Sequence, residues 1–402
     1  MNGDTLHRPA PLRMDNDFGF KTMAVRVPAI LRDVQAMNPD YSPAIMRSLD
    51  RLYNDLTANA PIPMLEPFPA PGADHEAWQA AYDDQRAKIA PLTWQHNEWF
   101  FAETFFYRHL MQAVRWFETR RDPFAPHKQT ELSSAPFDNL LEAALAAEGD
   151  LAERLRLRLA FALWGNRVDL SHQASELAGE AVREDDLLVD DRGALLDHLL
   201  ADGPGGAALR PGAIHLIADN AGSELAMDLL LIDLLLEAGA ETVVLHLKWH
   251  PTYVSDAMIR DAWAMIDAFE ARGGAAAALA GRLRAAWQSG RFRLATHPYW
   301  TSGRFLFEMP PALHQVFEGA RLVILKGDAN YRRAAGDGLW GEGTSFAQMM
   351  DYFPAPFVAL RTLKSDVSAG LPVERVRRLD ADQTGWRITG RYGVIQFAPG
   401  RG

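Results

Sequence analysis

Between Ala213 and Leu360 the chain repeats one pattern, a short apolar run followed by a segment of helix length. The runs are Ala213 to Ala218, Thr242 to Leu247, Phe292 to Ala295, Leu322 to Leu325 and Pro356 to Leu360. Runs this short and this continuously apolar fit strands buried on both faces. Strands that alternate with helices predict an α/β fold: a three-layer α/β/α domain with a mainly parallel sheet. In open sheets of this kind ligands gather beyond the carboxyl ends of the strands, so the residues after each run are where chemistry is expected.

The first run ends in His215-Leu-Ile-Ala-Asp219-Asn220-Ala-Gly-Ser-Glu224, just ahead of a long apolar helix. A carboxylate and an amide there offer hard oxygen ligands to a divalent cation, and the helix N-terminus offers N–H groups to an anion. The same residues also make an ordinary capping turn. Three more polar clusters come after later runs: Lys248 to Asp256, Lys326-Gly-Asp328-Ala-Asn330-Tyr331-Arg332, and Arg361-Thr362-Leu363-Lys364. Carboxylates and an amide could hold one cation while Lys326, Arg332, Arg361 and Lys364 neutralise a phosphate. Solvated loop charges are the plain alternative, and for Asp256, in Tyr253-Val-Ser-Asp256, a helix cap.

Ahead of these runs, from about Asn16 to Trp164, the pattern is helical, with aromatic residues spaced by three and four from Trp99 through Phe117. Prolines at 61–71 and 123–126 break it into separate helices, and an acidic stretch from about Glu176 to Gly206 marks a change of architecture. The expected organisation is a helical N-terminal region, 1–172, covering the active site of an α/β metal- and phosphate-binding domain, 173–402. Glu103, Arg108, Asn166 and Asp169 stand among otherwise apolar helical residues. They predict that this region closes over the strand ends, or else that it holds internal salt bridges and caps.

Composition removes several alternatives. Lys plus Arg number 41 against 52 Asp plus Glu, a net charge of -11, with no cationic cluster able to track a phosphate backbone, so no nucleic-acid partner is expected. The absence of cysteine rules out disulfides, thiolate zinc and a cysteine nucleophile, and leaves oxygen or imidazole to hold any metal. It suits a reducing compartment, and the first residues lack the basic and apolar pattern of a secretory signal, so a cytoplasmic location is expected. Leu225 to Leu236, interrupted by Asp228 and Asp233, is too short and charged to span a bilayer. Gly336-Asp-Gly338-Leu-Trp-Gly341 matches a dinucleotide fingerprint in form but comes after a basic loop rather than a strand. His246 and His250 read more readily as core residues than as ligands.

The chain resembles the DUF89 damage-control phosphatases, in the branch with the Arg-Thr-x-Lys signature that includes acidic residue methyltransferase 1 and sugar phosphate phosphatases. The resemblance is carried by Asp219-Asn220-Ala-Gly-Ser-Glu224, Val254-Ser255-Asp256, Lys326 to Arg332, and Arg361-Thr362-Leu363-Lys364, in order between Phe18 and Leu371. Glu103 to Arg108, Asp122 to Lys128 and Leu163 to Ser171 add to it. It implies a metal held by Asp219, Asn220 and Asp256, one of Mn²⁺, Mg²⁺, Co²⁺ or Ni²⁺. It implies catalytic roles for Asp219, Asp256, Asp328 and Lys364. A phosphosugar would lie against Glu224, Asp328, Asn330, Arg332, Arg361, Lys364 and Asn166.

The expected activity is metal-dependent hydrolysis of small phosphorylated metabolites, ketose phosphates such as fructose 1-phosphate or fructose 6-phosphate in particular, with no membrane partner. The same resemblance also admits an S-adenosylmethionine-dependent protein carboxyl methyltransferase. A non-catalytic phosphosugar-binding protein is the third reading.

Overall fold

The computed structural model describes residues 7–14, 17–66, 74–165, 186–201 and 208–400. Its first part holds helices α1 (Asp17–Lys21), α2 (Val27–Met37), α3 (Pro43–Thr57), α4 (His75–Lys88) and α5 (Trp99–Ala113). Then come α6 (Trp116–Thr119), α7 (Ala125–Leu132), α8 (Ala135–Leu145) and α9 (Leu151–Trp164). Helix α3 shows the local logic: Pro43 opens the first turn, where its missing N–H costs nothing, and Ser42 Oγ accepts from the Ile45 amide. Ile45, Leu49, Leu52 and Leu56 then bury one stripe. Helix α5 is buried from Trp99 through Met111 and forms the axis of the first core, around which Leu31, Leu49, Trp78 and Trp94 pack.

Strands β1 (Leu187–Asp190), β4 (Ala213–Ile217), β5 (Thr242–Leu247), β6 (Phe292–Thr296), β7 (Leu322–Lys326), β8 (Phe357–Thr362) and β9 (Gly393–Ala398) form one sheet in the order β1-β9-β8-β7-β4-β5-β6. A short hairpin, β2 (Leu200–Ala201) with β3 (Ala208–Leu209), stands apart. From β8 to β6 the pairing is parallel, as the apolar runs predict, while β9 is antiparallel to β8 and β1 runs parallel to β9. The edge pair β1 and β9 is the part of the sheet that the sequence pattern did not announce.

Alternation along the strands sorts two cores. Ile214, Leu216, Leu322 and Ile324 face α11 (Ser223–Glu237), α12 (Ile259–Arg272) and α13 (Gly274–Gln288), together with α10 (Arg192–Leu199). Helices α8 and α9 join this layer through Phe137, Leu141, Leu159 and Trp164, so the last helices of the N-terminal part cover the sheet directly. The opposite residues, Ile217, Val323 and Leu325, face α14 (Pro311–His314), α15 (Asp328–Ala335) and α16 (Phe346–Met349). A last helix, α17 (Val373–Asp382), packs with Trp386 and Tyr392 at the β9 edge. The expected boundary between 172 and 173 lies outside the described residues. No helix among the described residues is long and apolar enough to cross a membrane.

His215 and His246 stack across β4 and β5, with Nδ1 and Nε2 2.9 Å apart, beside Phe317 and Trp300. Burial pushes His215 down to about 4 and, with the neighbouring His215 charge adding, His246 down to about 3. Both rings are therefore neutral in the fold but protonate near pH 6.5 once unfolded, so the unfolded state binds more protons below that pH. Stability is full above pH 6.5 and falls as pH drops toward 4, by on the order of 2 kcal/mol per ring at pH 5. Urea midpoints measured from pH 7.5 to 5 should fall steeply for this chain. They should fall less for the His215→Leu/His246→Leu pair, and equal slopes would show that the rings do not drive acid unfolding.

Candidate active site

Strand order reverses between β4 and β7: the chain leaves β4 for β5 on one side and later places β7 on the other. A crevice opens at such a switch point. Asp219 stands two residues beyond β4 and Asp328 opens α15 after β7. Between them, Gly327 has φ +83°, and a Cβ built on it would fall 2.0 Å from Asp219 Oδ2. A glycine is required there by conformation and by contact.

The 252–257 loop is stitched to the same crevice. Asn220 and Asp256 form an antiparallel bridge, the Ala221 amide donates to Ser255 O (2.7 Å) and the Ala257 amide to Asp219 O (2.8 Å). Tyr253 and Val254 are both left-handed, φ 45° and 67°, an arrangement that strains a β-branched residue and that the bridge holds in place. Asn220 Nδ2 donates to Asp219 Oδ2 and to Glu224 Oε2, both 2.9 Å, which fixes the amide and turns Oδ1 toward Ser255 Oγ at 2.5 Å. Asp256 Oδ2 lies 3.0 Å from Lys248 Nζ, and Lys128 Nζ, itself paired with Asp122 and Asp261, donates to the Asp256 carbonyl at 2.9 Å.

Asp219, Asn220 and Asp256 thus line one cavity as neighbours. Burial pushes the Asp219 carboxyl well above the usual range, the Asp256 and Glu224 charges add to this, and Lys248 and Lys364 oppose it. Asp256 is raised in the same way, by burial against the pull of Lys248. Two buried carboxylates beside one lysine leave negative charge that a divalent cation fits, and an all-oxygen donor set suits a hard ion.

Asp328 is the electrostatic opposite. Burial raises its carboxyl, but Arg361, Arg332 and the Lys364 amide outweigh burial and hold it below the usual range. Arg361 Nε (2.7 Å), the Lys364 amide (3.0 Å) and Ser365 Oγ (3.2 Å) all reach Oδ1, and Oδ2 takes no hydrogen bond from the described residues.

Residues of the helical part line the same cavity. Arg332 joins the two parts, bidentate to Asp337 at 2.6 and 3.1 Å and bonded to Glu103 of α5 at 2.8 Å, with its guanidinium 3.5 Å from the Trp99 ring centroid. The half-open cavity, about 350 Å³, is lined by Asp219, Asn220, Ser255, Asp256, Asp328, Arg332 and Lys364 from the sheet part and by Phe18, Arg26, Trp99 and Glu103 from the helical part. Lys364 is exposed and its ammonium has no protein partner among the described residues. A larger cleft of about 510 Å³ beside α8, α12 and α13 is lined by Leu141, Leu145 and the exposed Asp138–Arg272 pair, and no comparable set of polar groups converges there.

Several residues expected at the substrate turn inward instead. Arg361 is 1% exposed and also donates to Val367 O and Ser365, so it orients Asp328. Asn330 takes a bond from Lys248 and donates to Ala218 O and Lys326 O, tying β4 to α15. Glu224 stands behind Asn220, shared with Lys326, whose ammonium is fully buried against Asp228 as well. Lys326 is therefore part of the core rather than a phosphate ligand. The α11 N-terminus, expected to receive an anion, is met by the Glu131 carboxylate, which accepts from the Ser223 amide at 2.8 Å. Arg108 is buried against Asp74, and Asn166 and Asp169 lie outside the described residues. Gly336 and Asp337 of the apparent dinucleotide motif form the left-handed end of α15, with Asp337 paired to Arg332.

The sequence reading missed Arg26, Phe18, Trp99 and Tyr253 as cavity residues. Only their order relative to the other motifs could have hinted at them, since an aromatic at helical spacing reads as core.

Residues 22–379 match the family described as the damage-control phosphatase ARMT1-like domain. Proteins named damage-control phosphatase ARMT1 are similar along most of their length: the Danio rerio protein is 27% identical over 96% of this chain and 96% of its own, and the Homo sapiens protein 27% over 87% and 85%. A solved DUF89 family protein from Pyrococcus horikoshii aligns over 86% of this chain and 96% of its own, with TM-score 0.46 and 14% identity. With a family match spanning the helical cover, the switch-point crevice and the Arg361-Thr362-Leu363-Lys364 turn, the chain belongs to the damage-control phosphatase ARMT1-like family.

Proposed function

We propose that the chain is a metal-dependent phosphatase of small phosphorylated metabolites, with ketose phosphates such as fructose 1-phosphate and fructose 6-phosphate as its substrates. The observation that carries this reading is that Asp219, Asn220 and Asp256 line one cavity together with Lys364, whose ammonium has no partner among the described residues. Asp219, Asn220 and Asp256 would hold the metal, Mn²⁺, Mg²⁺, Co²⁺ or Ni²⁺. A divalent ion bound there supplies Lewis-acid polarisation of a phosphoryl oxygen and offsets its charge.

The remaining work falls to the chain itself. Lys364 offsets charge on the phosphoryl oxygens as a point cation. Asp328, held ionised by Arg361, offers Oδ2 to accept a proton from the attacking water. The water oxygen forms the new bond to phosphorus as the ester P–O bond breaks, and the departing sugar oxygen takes up a proton from solvent water while Asp328 releases to solvent the proton it accepted. Trp99, Phe18 and Glu103 face the sugar, an aromatic wall with a hydroxyl acceptor. The cover of α1 and α5 limits bulk water around the developing charge.

A phosphate-release screen over sugar phosphates, each with several divalent metals and with no methyl donor, tests the reading. Metal-dependent release that is greatest for ketose phosphates is expected. Methyl transfer from S-adenosylmethionine without phosphate release would replace it with the methyltransferase reading.

A further inference from the structure

We infer that Arg26, on the helical cover, is a second phosphate-binding cation, so that the substrate phosphate is gripped between the two parts of the chain, by Arg26 from one side and Lys364 from the other. This rests on the phosphatase reading of the cavity and adds a residue that none of the strand-end motifs contains.

Arg26 lines the cavity together with Asp219, Asp256 and Lys364. Its pairing sets it apart from the other arginines nearby. Arg332 is held by Asp337 and Glu103, and Arg361 by Asp328 and backbone carbonyls, whereas Arg26 is exposed and has no carboxylate partner among the described residues. Among the cavity's cations, only Arg26 and Lys364 therefore have no carboxylate partner among the described residues. They also come from different parts of the chain, Arg26 from the segment just ahead of α2 and Lys364 from just beyond β8.

The backbone explains how Arg26 comes to point there. Residues Thr22–Arg26 form a π-helical segment between α1 and α2, with the Val27 amide donating to Thr22 O and Thr22 Oγ1 bonded to Phe18 O at 2.9 Å. One extra residue in a helix rotates the turns before it by about 100° relative to the turns after it, and such segments are otherwise disfavoured. Here the insertion keeps Met23 and Val27 in the core while Phe18 and Arg26 both reach the cavity.

Charge favours an anion beside Arg26. Of the lining carboxylates, Asp328 is paired with Arg361, Asp256 with Lys248 and Glu103 with Arg332. Arg26 and Lys364 add positive charge that none of these pairs takes up, and the planar guanidinium fork suits two phosphate oxygens.

Arg26→Gln, Arg26→Lys and the unaltered chain should be loaded with Mn²⁺ and titrated with inorganic phosphate by calorimetry, alongside kcat/KM for several sugar phosphates and for an aryl phosphate. Arg26→Gln should weaken phosphate binding and lower kcat/KM for every ester by a similar factor, about tenfold to a hundredfold. Arg26→Lys, which keeps charge but not the fork, should recover part of the loss, and Mn²⁺ affinity and melting temperature should stay unchanged.

Phosphate affinity unchanged in Arg26→Gln would overturn the inference, as would a loss confined to one sugar or to esters carrying a second anionic group. If the unaltered chain binds phosphate in an Arg26-dependent way yet hydrolyses no ester, the inference holds and the phosphatase reading fails. If it binds no phosphate at all, both fail.

Discussion

Asp219→Ala is expected to abolish metal-dependent phosphate release, a loss of at least about three orders of magnitude, while leaving the protein folded. The carboxylate is buried at the point where Asp256 and Glu224 already press their charges on it, so its removal relieves repulsion instead of orphaning a partner. Asn220 Nδ2 keeps its bond to Glu224. The metal-free variant should therefore melt at or above the temperature of the unaltered chain. The rise in melting temperature that a bound metal gives the native chain should disappear in the variant. Gly327→Ala should reach the same loss by another route, because the added Cβ meets Asp219 Oδ2 at 2.0 Å and the residue sits at φ +83°. Turnover by Asp219→Ala at saturating metal comparable to the native rate would remove Asp219 from the chemistry.

Lys364→Met should cost about 2–4 kcal/mol in transition-state stabilisation, and should do so equally for all phosphorylated substrates. The lysine reaches the cavity from the turn after β8, and its stem passes 3.6 Å from where a Cβ on Gly390 would stand. Methionine keeps that apolar stem and deletes only the charge. The ammonium has no carboxylate partner among the described residues, so the change should not destabilise the fold, and the affinity for metal should change little. Values of kcat/KM for several sugar phosphates decide the point. A loss restricted to one sugar would mean that Lys364 reads a hydroxyl.

The parallel core of the sheet was legible because a strand buried on both faces has to be written as an unbroken apolar run, and the polar residues at its end are local to that run. Asp219, Asn220, Asp256, Asp328 and Lys364 could be picked out for this reason, each beside its own strand or loop. What a charged residue after a strand faces is not a local property. Arg361 and Lys364 are three residues apart at the end of β8, yet the first is drawn in by Asp328, 33 positions away in the chain, and the second is left at the cavity. Lys326 is claimed by Asp228 and Glu224 across the sheet in the same way. Arg26 and Trp99 belong to helices whose patterns look like ordinary cover, and their approach to the crevice depends on the Glu103–Arg332 bond and on the π-helical insertion. The edge strands β1 and β9 escaped notice because an acidic stretch leads into one and the other comes after the last of the regular alternations.

Anomalous diffraction from crystals of the full chain soaked with Mn²⁺ tests the central claim most directly. The account predicts one strong manganese peak at the switch point, within bonding distance of oxygens from Asp219, Asn220 and Asp256. Manganese bound elsewhere, with those three residues bare at saturating metal, would contradict it.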